Sequence, residues 1–527
     1  MKKNNVYKIL IIAIFASIII SYLVPGTSIS YGSVTKGTIA PVTFADSFIN
    51  TLTSFSAFMT LFVYVLSIGV FYAILKKTGK FDTIVNNIAC MFKKRRTLFI
   101  ALTAFVYALL TMFTGELYST LVFLPLSISI IRKLGYRKET SILTTVGSIL
   151  IGGAGSLYTY HIIQMLSVTL KDTLLQRIIL VAVALVFLVA FVLIFDKKPE
   201  PVELEKKKEK KLVPIYVSLG LILVLFVLGF VNWEGYFGFK GFSTFLENIR
   251  DFKLFKVSVF DSIIGSSSSI AAFGTWQVYH GAILITFIAF IIGLINRIKI
   301  RELFSAAFEG LKEAFTYGLI VVLANVVLVN IFTSGAFYTI VMGITKNAVD
   351  MSTGTLSSVI AAIAYPDYSY ATQFTLTSIL NSSASGYESL ISVLYQAVYC
   401  ITLLVSPTSI LLLLALRYTE TKYTEWIKYI FKFFVVFAIT VSVVLTLLLK
   451  PIDAVSIVAL ILLIIAIGII IYKKIISNKL GVENKTTEKV ETKKEEVKEV
   501  KVEKKEETKK NNSKKSTNKK SNNKKKK

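Results

Sequence analysis

Cysteine and histidine are almost missing from this chain. Cys90, Cys400, His161 and His280 are the only two of each among 527 residues. So few exclude a disulfide framework and leave no cluster with metal-ligand spacing. Charge is scarce too: 17% of residues are Asp, Glu, Lys or Arg, against 54% hydrophobic. Soluble chains of this length carry more charge and spread it more evenly. There is no Walker-type phosphate loop, no His-Glu-x-x-His motif and no sizeable soluble domain, so a membrane enzyme is disfavoured. What is present is a series of long apolar runs separated by short basic clusters. That is the pattern of an all-α polytopic membrane protein.

The net charge of +27 raises the question of nucleic acid, and its location answers against it. From Lys479 onward there are 19 Lys and 9 Glu, which is +10 of the total. The rest lies mostly in loops between apolar runs, where Lys and Arg are retained on the cytoplasmic side. Residues Lys489–Lys510 alternate Lys and Glu and suit a solvated helix; Asn511–Lys527 contains only Asn, Ser, Thr and Lys and reads as disordered. Attraction to anionic lipid is the natural second role for such a tail.

The apolar runs trace a path. Ile9–Val24 reads as a first span or signal anchor. Leu52–Leu75 follows, then Thr97–Ile131, interrupted at Thr114-Gly115-Glu116. Glu139–Ser167 is interrupted at Gly152–Ser156, and Ile178–Phe195 returns inward. The polar segment Asp196–Lys211 is the expected boundary between two halves. The second half runs through Leu212–Val231, an amphipathic outer segment Asn232–Thr275, Trp276–Ile295 and Ala314–Phe332. It continues with Thr355–Ile391, interrupted at Asn381–Gly386, and Ser392–Leu416, interrupted at Ser406–Ser409. Trp426–Leu449 and Ile452–Tyr472 close the series. The expectation is about ten transmembrane helices plus two hairpins, with both termini cytoplasmic. In domain terms this gives a first repeat over 1–195, a linker over 196–211 and a second repeat over 212–449. An extra helix over 450–477 and a lysine-rich tail over 478–527 follow.

A short self-similarity supports the two halves. Gly79-Lys80-Phe81-Asp82-Thr83-Ile84-Val85 resembles Gly335-Ala336-Phe337-Tyr338-Thr339-Ile340-Val341. Each copy follows a span and precedes an interrupted stretch and an interrupted crossing. The path places one copy inside and the other outside, as in the inverted repeats of secondary transporters.

The interruptions are where chemistry is expected. A broken helix in hydrocarbon exposes amides and carbonyls that need partners. Helix N-termini at a break favour a carboxylate, and unwound carbonyls with hydroxyls suit Na⁺. The substrate-binding candidates are therefore Thr114, Gly115 and Ser119; Gly153, Gly155 and Ser156; Asn381, Ser382, Ser383, Ser385 and Gly386; and Pro407, Thr408 and Ser409. Glu116, Ser156 and Thr408 are the candidates for a coupling Na⁺ or H⁺. Glu116 leads because an ionisable group at membrane depth is costly to keep. Glu388 and Asp367 are weaker candidates, His161 suits packing better than proton relay, and Ser266–Ser269 reads as loop. The bland reading of each break is packing: Ser and Thr bond back to their own helix, and glycines serve helix contact.

Several stretches also resemble the dicarboxylate anaerobic carrier-like family of the ion transporter superfamily, which includes basic amino acid antiporters. They are Tyr22-Leu23-Val24-Pro25-Gly26, Lys77-Thr78-Gly79, Thr114-Gly115-Glu116 with Pro125, Ser382–Gly386, and Tyr395-Gln396 followed by Ser406-Pro407-Thr408-Ser409 and Tyr423-Thr424-Glu425-Trp426. The resemblance spans roughly residues 9 to 449. It implies two inverted repeats, with re-entrant hairpin tips meeting broken helices around a central substrate. It also implies secondary transport of a small carboxylated metabolite, an amino acid or a dicarboxylate, often cation-coupled and often in a homodimer. The chain departs from the family in having one Glu at the first hairpin and a shortened second hairpin. Other functional classes are a Na⁺/H⁺ antiporter and a non-transporting scaffold acting through its polybasic tail.

Overall fold

The structure, a computed structural model, describes residues 6–30, 33–157, 168–196, 199–254, 257–263, 271–345, 351–369, 371 and 388–449, with 465, 468 and 472 beyond them. The chain divides into two compact units, Met1–Ile452 and Asp453–Lys527. All elements below belong to the first. Apart from those last three residues, the expected span Ile452–Tyr472 and the tail lie outside the described residues, as do His161, Ser266–Ser269 and the break Asn381–Gly386.

The first half holds α1 (Val6–Leu23), a two-stranded ribbon of β1 (Gly26–Ser30) and β2 (Ser33–Ile39), α2 (Phe44–Ala57), α3 (Met59–Lys77), α4 (Phe81–Phe92), α5 (Arg96–Thr114), α6 (Leu124–Lys133), α7 (Lys138–Ile142), α8 (Ser148–Ala154) and α9 (Leu170–Ala190). The second holds α10 (Leu212–Phe230), the small outer elements α11 (Trp233–Phe237), α12 (Gly241–Asp251), β3 (Lys253–Leu254), β4 (Val257–Ser258) and α13 (Val259–Ile263), and then α14 (Val278–Ile295) and α15 (Ile300–Thr333). It ends with α16 (Ala336–Ile344), α17 (Met351–Ala364), α18 (Glu388–Thr402), α19 (Ile410–Thr419) and α20 (Tyr423–Leu449). Among the described residues, eight helices are long and apolar enough to cross a membrane, with shorter apolar helices in α17, α18 and α19. The expected all-helical polytopic class is what the chain adopts. Large apolar side chains face outward, such as Ile11, Ile12, Phe15 and Ile19 on α1 and Val213, Val217 and Leu221 on α10. Water would oppose that exposure; lipid does not.

The helices start and stop where the backbone requires it. Pro25 ends α1 because it has no N–H to continue the ladder. The Thr43 side chain caps α2 while Asp46 reaches back to the Thr43 N–H, a complete capping box. One expected boundary shifts: the run Leu52–Leu75 is two helices, α2 and α3, hinged at Phe58. Hydropathy misses this because both sides of the hinge are apolar. α15 is also longer than its apolar core. At 34 residues it spans about 50 Å, well past a ~30 Å hydrocarbon layer, so Arg301 to Glu313 are helical rather than loop.

The centre of the bundle is the crossing of α3 with α15. Glycines make it possible. A Cβ built on Gly310 would lie 2.6 Å from the Gly69 carbonyl oxygen, and one on Gly69 would lie 2.3 Å from the Ala314 Cβ. Small residues of this kind let two membrane helices touch backbone to backbone. Beside the crossing, a buried polar net ties α1 and α2 to α15. Asn330 donates to Ser17 at 3.0 Å and to Ser47 at 3.2 Å, and accepts from Asn50 at 2.9 Å. α14 packs on the other side of α3.

The two self-similar segments fold alike. Gly79 (φ 75°) and Gly335 (φ 62°) are both left-handed, each just after a long helix and just before a shorter one. Only glycine accepts that conformation without strain. The segment read as a linker is a strap rather than a loose tether. Asn86 donates to the Glu205 carbonyl at 2.7 Å, Asn87 to that of Lys207 at 2.8 Å, and Arg96 to that of Glu200 at 2.8 Å.

Two substitutions test the scaffold. Asn330→Leu takes from Asn50 its shorter acceptor, leaving only the Thr333 hydroxyl at 3.4 Å, and from Ser17 and Ser47 the Asn330 donor. It is expected to lower the thermal stability of the purified protein by roughly 1–3 kcal/mol, read from the shift in melting temperature. Gly310→Leu is expected to do worse and abolish a monodisperse peak in size-exclusion chromatography.

Candidate functional site

Three interruptions lie inside the described bundle where the sequence places them, and a fourth joins them. α5 ends on Thr114, and Gly115 takes the left-handed conformation at φ 71°. A tight turn and a short 3₁₀ segment, Ser119–Phe123, lead into α6. Thr114 and Ser119 are buried, and Glu116 is half-buried between them. The Glu116 N–H donates to the Thr114 hydroxyl at 3.3 Å, and the Ser119 hydroxyl donates to the Glu116 carbonyl at 3.0 Å. The polar residues of this break thus hold its own backbone. No described side chain donates to the Glu116 carboxylate, which lies within electrostatic reach of Asp367.

Asp367 belongs to the unexpected fourth break. α17 stops at Ala364, and Tyr365-Pro366-Asp367 follows. Proline causes it, disfavouring helix in the residue before it and lacking an N–H of its own. Four carbonyls around this helix end meet a side-chain donor from elsewhere. Ser406 donates to Ala362 at 2.9 Å, and Thr408 to Ile363 at 2.8 Å. Tyr399 donates to Tyr365 at 2.8 Å, and Tyr118 to Pro366 at 3.0 Å. The break in the first hairpin and the break Ser406–Ser409 are therefore both stitched to the end of α17. Ser409 then caps α19, accepting from the Leu412 N–H at 3.5 Å, so the positive end of α19 opens at this break. Pro407 sits half-buried in the turn.

The break at Gly152–Ser156 ends α8. Its glycines allow close approach. A Cβ on Gly152 would lie 2.2 Å from the Ala108 carbonyl, one on Gly153 2.6 Å from Leu117, and one on Gly155 2.3 Å from Val181. Carbonyls at and beyond the helix end are met from both halves. Gln396 of α18 donates to Gly153 at 2.7 Å and to Ser156 at 3.1 Å. Arg177 of α9 donates to the Ser156 carbonyl at 2.9 Å and to the Gln396 side-chain oxygen at 2.7 Å. It also reaches Thr173 at 3.1 Å and the Ser392 carbonyl at 3.3 Å. Arg177 is 1% exposed and Gln396 fully buried.

Sequence reasoning found Gly153, Gly155, Ser156, Thr408 and Ser409 but missed Arg177, Tyr118 and Tyr399. A signal for Arg177 existed. The crossing read from Ile178 begins one residue after it, whereas α9 begins at Leu170 and carries the arginine inside the membrane run. The two tyrosines gave none, because tyrosine is abundant at membrane interfaces and in packing. Tyr118 is a direct probe of the stitching. Tyr118→Phe removes the donor to Pro366 and keeps the ring. The melting temperature of the purified protein is expected to fall by the equivalent of about 1 kcal/mol with the fold intact.

Comparison with known proteins gives the class. A family model described as C4-dicarboxylate anaerobic carrier (DcuC) matches residues 30–450. No curated protein matches the chain. Among solved structures, the crystal structure of the Alcanivorax borkumensis YdaH transporter is similar at 11% identity and a TM-score of 0.38, covering 84% of this chain and 96% of that one. The family match spans most of the sequence and all of the breaks described above: the chain belongs to the C4-dicarboxylate anaerobic carrier family, and is a multi-pass membrane carrier.

Proposed function

We propose that this carrier is a secondary active transporter of a small carboxylated metabolite, with a C4-dicarboxylate as the leading class and an amino acid as the next. The carrying observation is the convergence of broken helices from both halves. The first hairpin and the turn before α19 both bond to the end of α17, and the end of α8 bonds to α18. Helix ends that meet inside a membrane supply donors and acceptors without the cost of many buried charges. The N-terminus of α19 with Ser409 suits a carboxylate. Gly115, Ser119 and Thr408 complete the proposed substrate region among the described residues, and Asn381–Gly386, outside them, remain candidates on the sequence alone.

The paired folds around Gly79 and Gly335 support two inverted repeats, with alternating access arising from their relative movement. The basic loops argue for cytoplasmic termini. On that side a hollow of about 460 Å³ is bordered by Arg132, Lys133, Lys138 and Asp82, a setting that would draw anions toward the bundle. Glu116 beside Asp367 favours a second reading, exchange of H⁺ for Na⁺ without organic substrate. Two carboxylates within electrostatic reach of each other inside a membrane bundle would form a stop for a proton or cation.

The test is uptake by the full chain in proteoliposomes, with imposed proton, Na⁺ and metabolite gradients and a panel of dicarboxylates and amino acids. Gradient-dependent or exchange-dependent dicarboxylate flux is the expected result. Absence of flux across the panel would sink the proposal, and pH changes driven by Na⁺ alone would favour the second reading. Glu116→Gln is expected to cut proton-driven uptake by at least about tenfold, the size of one lost functional interaction, while leaving counterflow between preloaded and external substrate less affected.

A further inference from the structure

An unwound helix end in a membrane turns its carbonyls toward whatever positive charge is available, and a coupling Na⁺ is one such charge. At the end of α8 another is already in place. We infer that the Arg177 guanidinium stands where a coupling cation would otherwise bind at the Gly153–Ser156 break, so that transport proceeds without Na⁺. The inference rests on the transporter reading and addresses its coupling mode.

Four oxygens around this break are turned toward donors. The Ser156 carbonyl accepts from Arg177 at 2.9 Å and from Gln396 at 3.1 Å. The Gly153 carbonyl accepts from Gln396 at 2.7 Å, and the Gln396 side-chain oxygen accepts from Arg177 at 2.7 Å. The Thr173 hydroxyl accepts from Arg177 Nε at 3.1 Å. A Na⁺ entering this cluster would displace those donors and sit beside a full positive charge in a medium of low dielectric. Among the described residues, no carboxylate pairs with that charge. The ion pairs among the described residues are Arg137–Glu139, Lys240–Glu234 and Lys422–Glu425. A guanidinium stays protonated across the physiological range, so the substitute is permanent. At the break before α19, Ser406 and Thr408 both donate to the end of α17, and the Glu116–Asp367 pair is the site the transporter reading gives to a proton.

The hydrogen bonds of Arg177 among the described residues all go to protein oxygens, so it acts as a positioning residue. It fixes the broken backbone of the first half against α18 of the second. Removing it takes away both the charge and the bridge.

Two measurements on the full chain test this. The first is thermal stability of the purified protein in Na⁺, K⁺ and choline. No Na⁺-specific, saturable stabilisation is expected, and finding one in the wild type overturns the inference. The second is succinate uptake in proteoliposomes. Wild-type flux should be unchanged when choline replaces Na⁺. Arg177→Lys, which keeps the charge, should retain most of it, and Arg177→Met should lose at least about tenfold, the scale of a lost charge-assisted hydrogen bond. Wild-type uptake that collapses without Na⁺, or Arg177→Met uptake at the wild-type rate, would also overturn it. If Arg177→Met fails to fold, the wild-type measurements still decide. If no dicarboxylate moves under any gradient, the transport reading fails, while the stability measurement still answers for Arg177.

Discussion

A backbone amide or carbonyl in hydrocarbon has no water to turn to, and this protein is organised around that fact. Intact helices meet the demand internally. Each place where a helix stops inside the bundle needs donors and acceptors from somewhere else. The end of α17 takes four hydroxyls, from Ser406, Thr408, Tyr399 and Tyr118. The end of α8 takes a buried arginine and a buried glutamine. The breaks are thus the points at which separate helices are obliged to meet, and the same obligation creates a polar region inside an apolar protein.

Around that region the scaffold is built differently. α3 and α15 touch through Gly69 and Gly310 with almost no side chain between them. α1 and α2 are held to α15 by Asn330 and its partners. Small residues at the contact let the two backbones approach closely, with little side chain between them. The stitched helix ends rely instead on single hydrogen bonds from side chains, each of which can be exchanged for a ligand atom or another partner.

Much of the site was legible in the sequence, but as positions rather than partners. Gly-rich or Ser-rich interruptions within apolar runs mark helix breaks because glycine and hydroxyl residues stabilise non-helical backbone. Gly115, Gly153, Gly155, Thr408 and Ser409 were all found in this way. Pro366 went unread although it breaks α17, since a single proline near polar residues looks like a loop. Arg177 was taken for the flank of a span because it stands close to its polar end. The hinge at Phe58 carried no compositional mark.

The sequence by itself determined that this is a polytopic helical membrane protein, where most of its spans lie and which of them are interrupted. Those properties follow from hydropathy and local backbone preference, which are carried by neighbouring residues. Only the tertiary structure decided what fills each interruption. Arg177 and Gln396 are 219 residues apart, and Tyr118 and Pro366 are 248 apart. No local pattern encodes such a pairing. It arises because, with water excluded, every freed carbonyl must bond to whichever donor the packing of distant helices brings within reach.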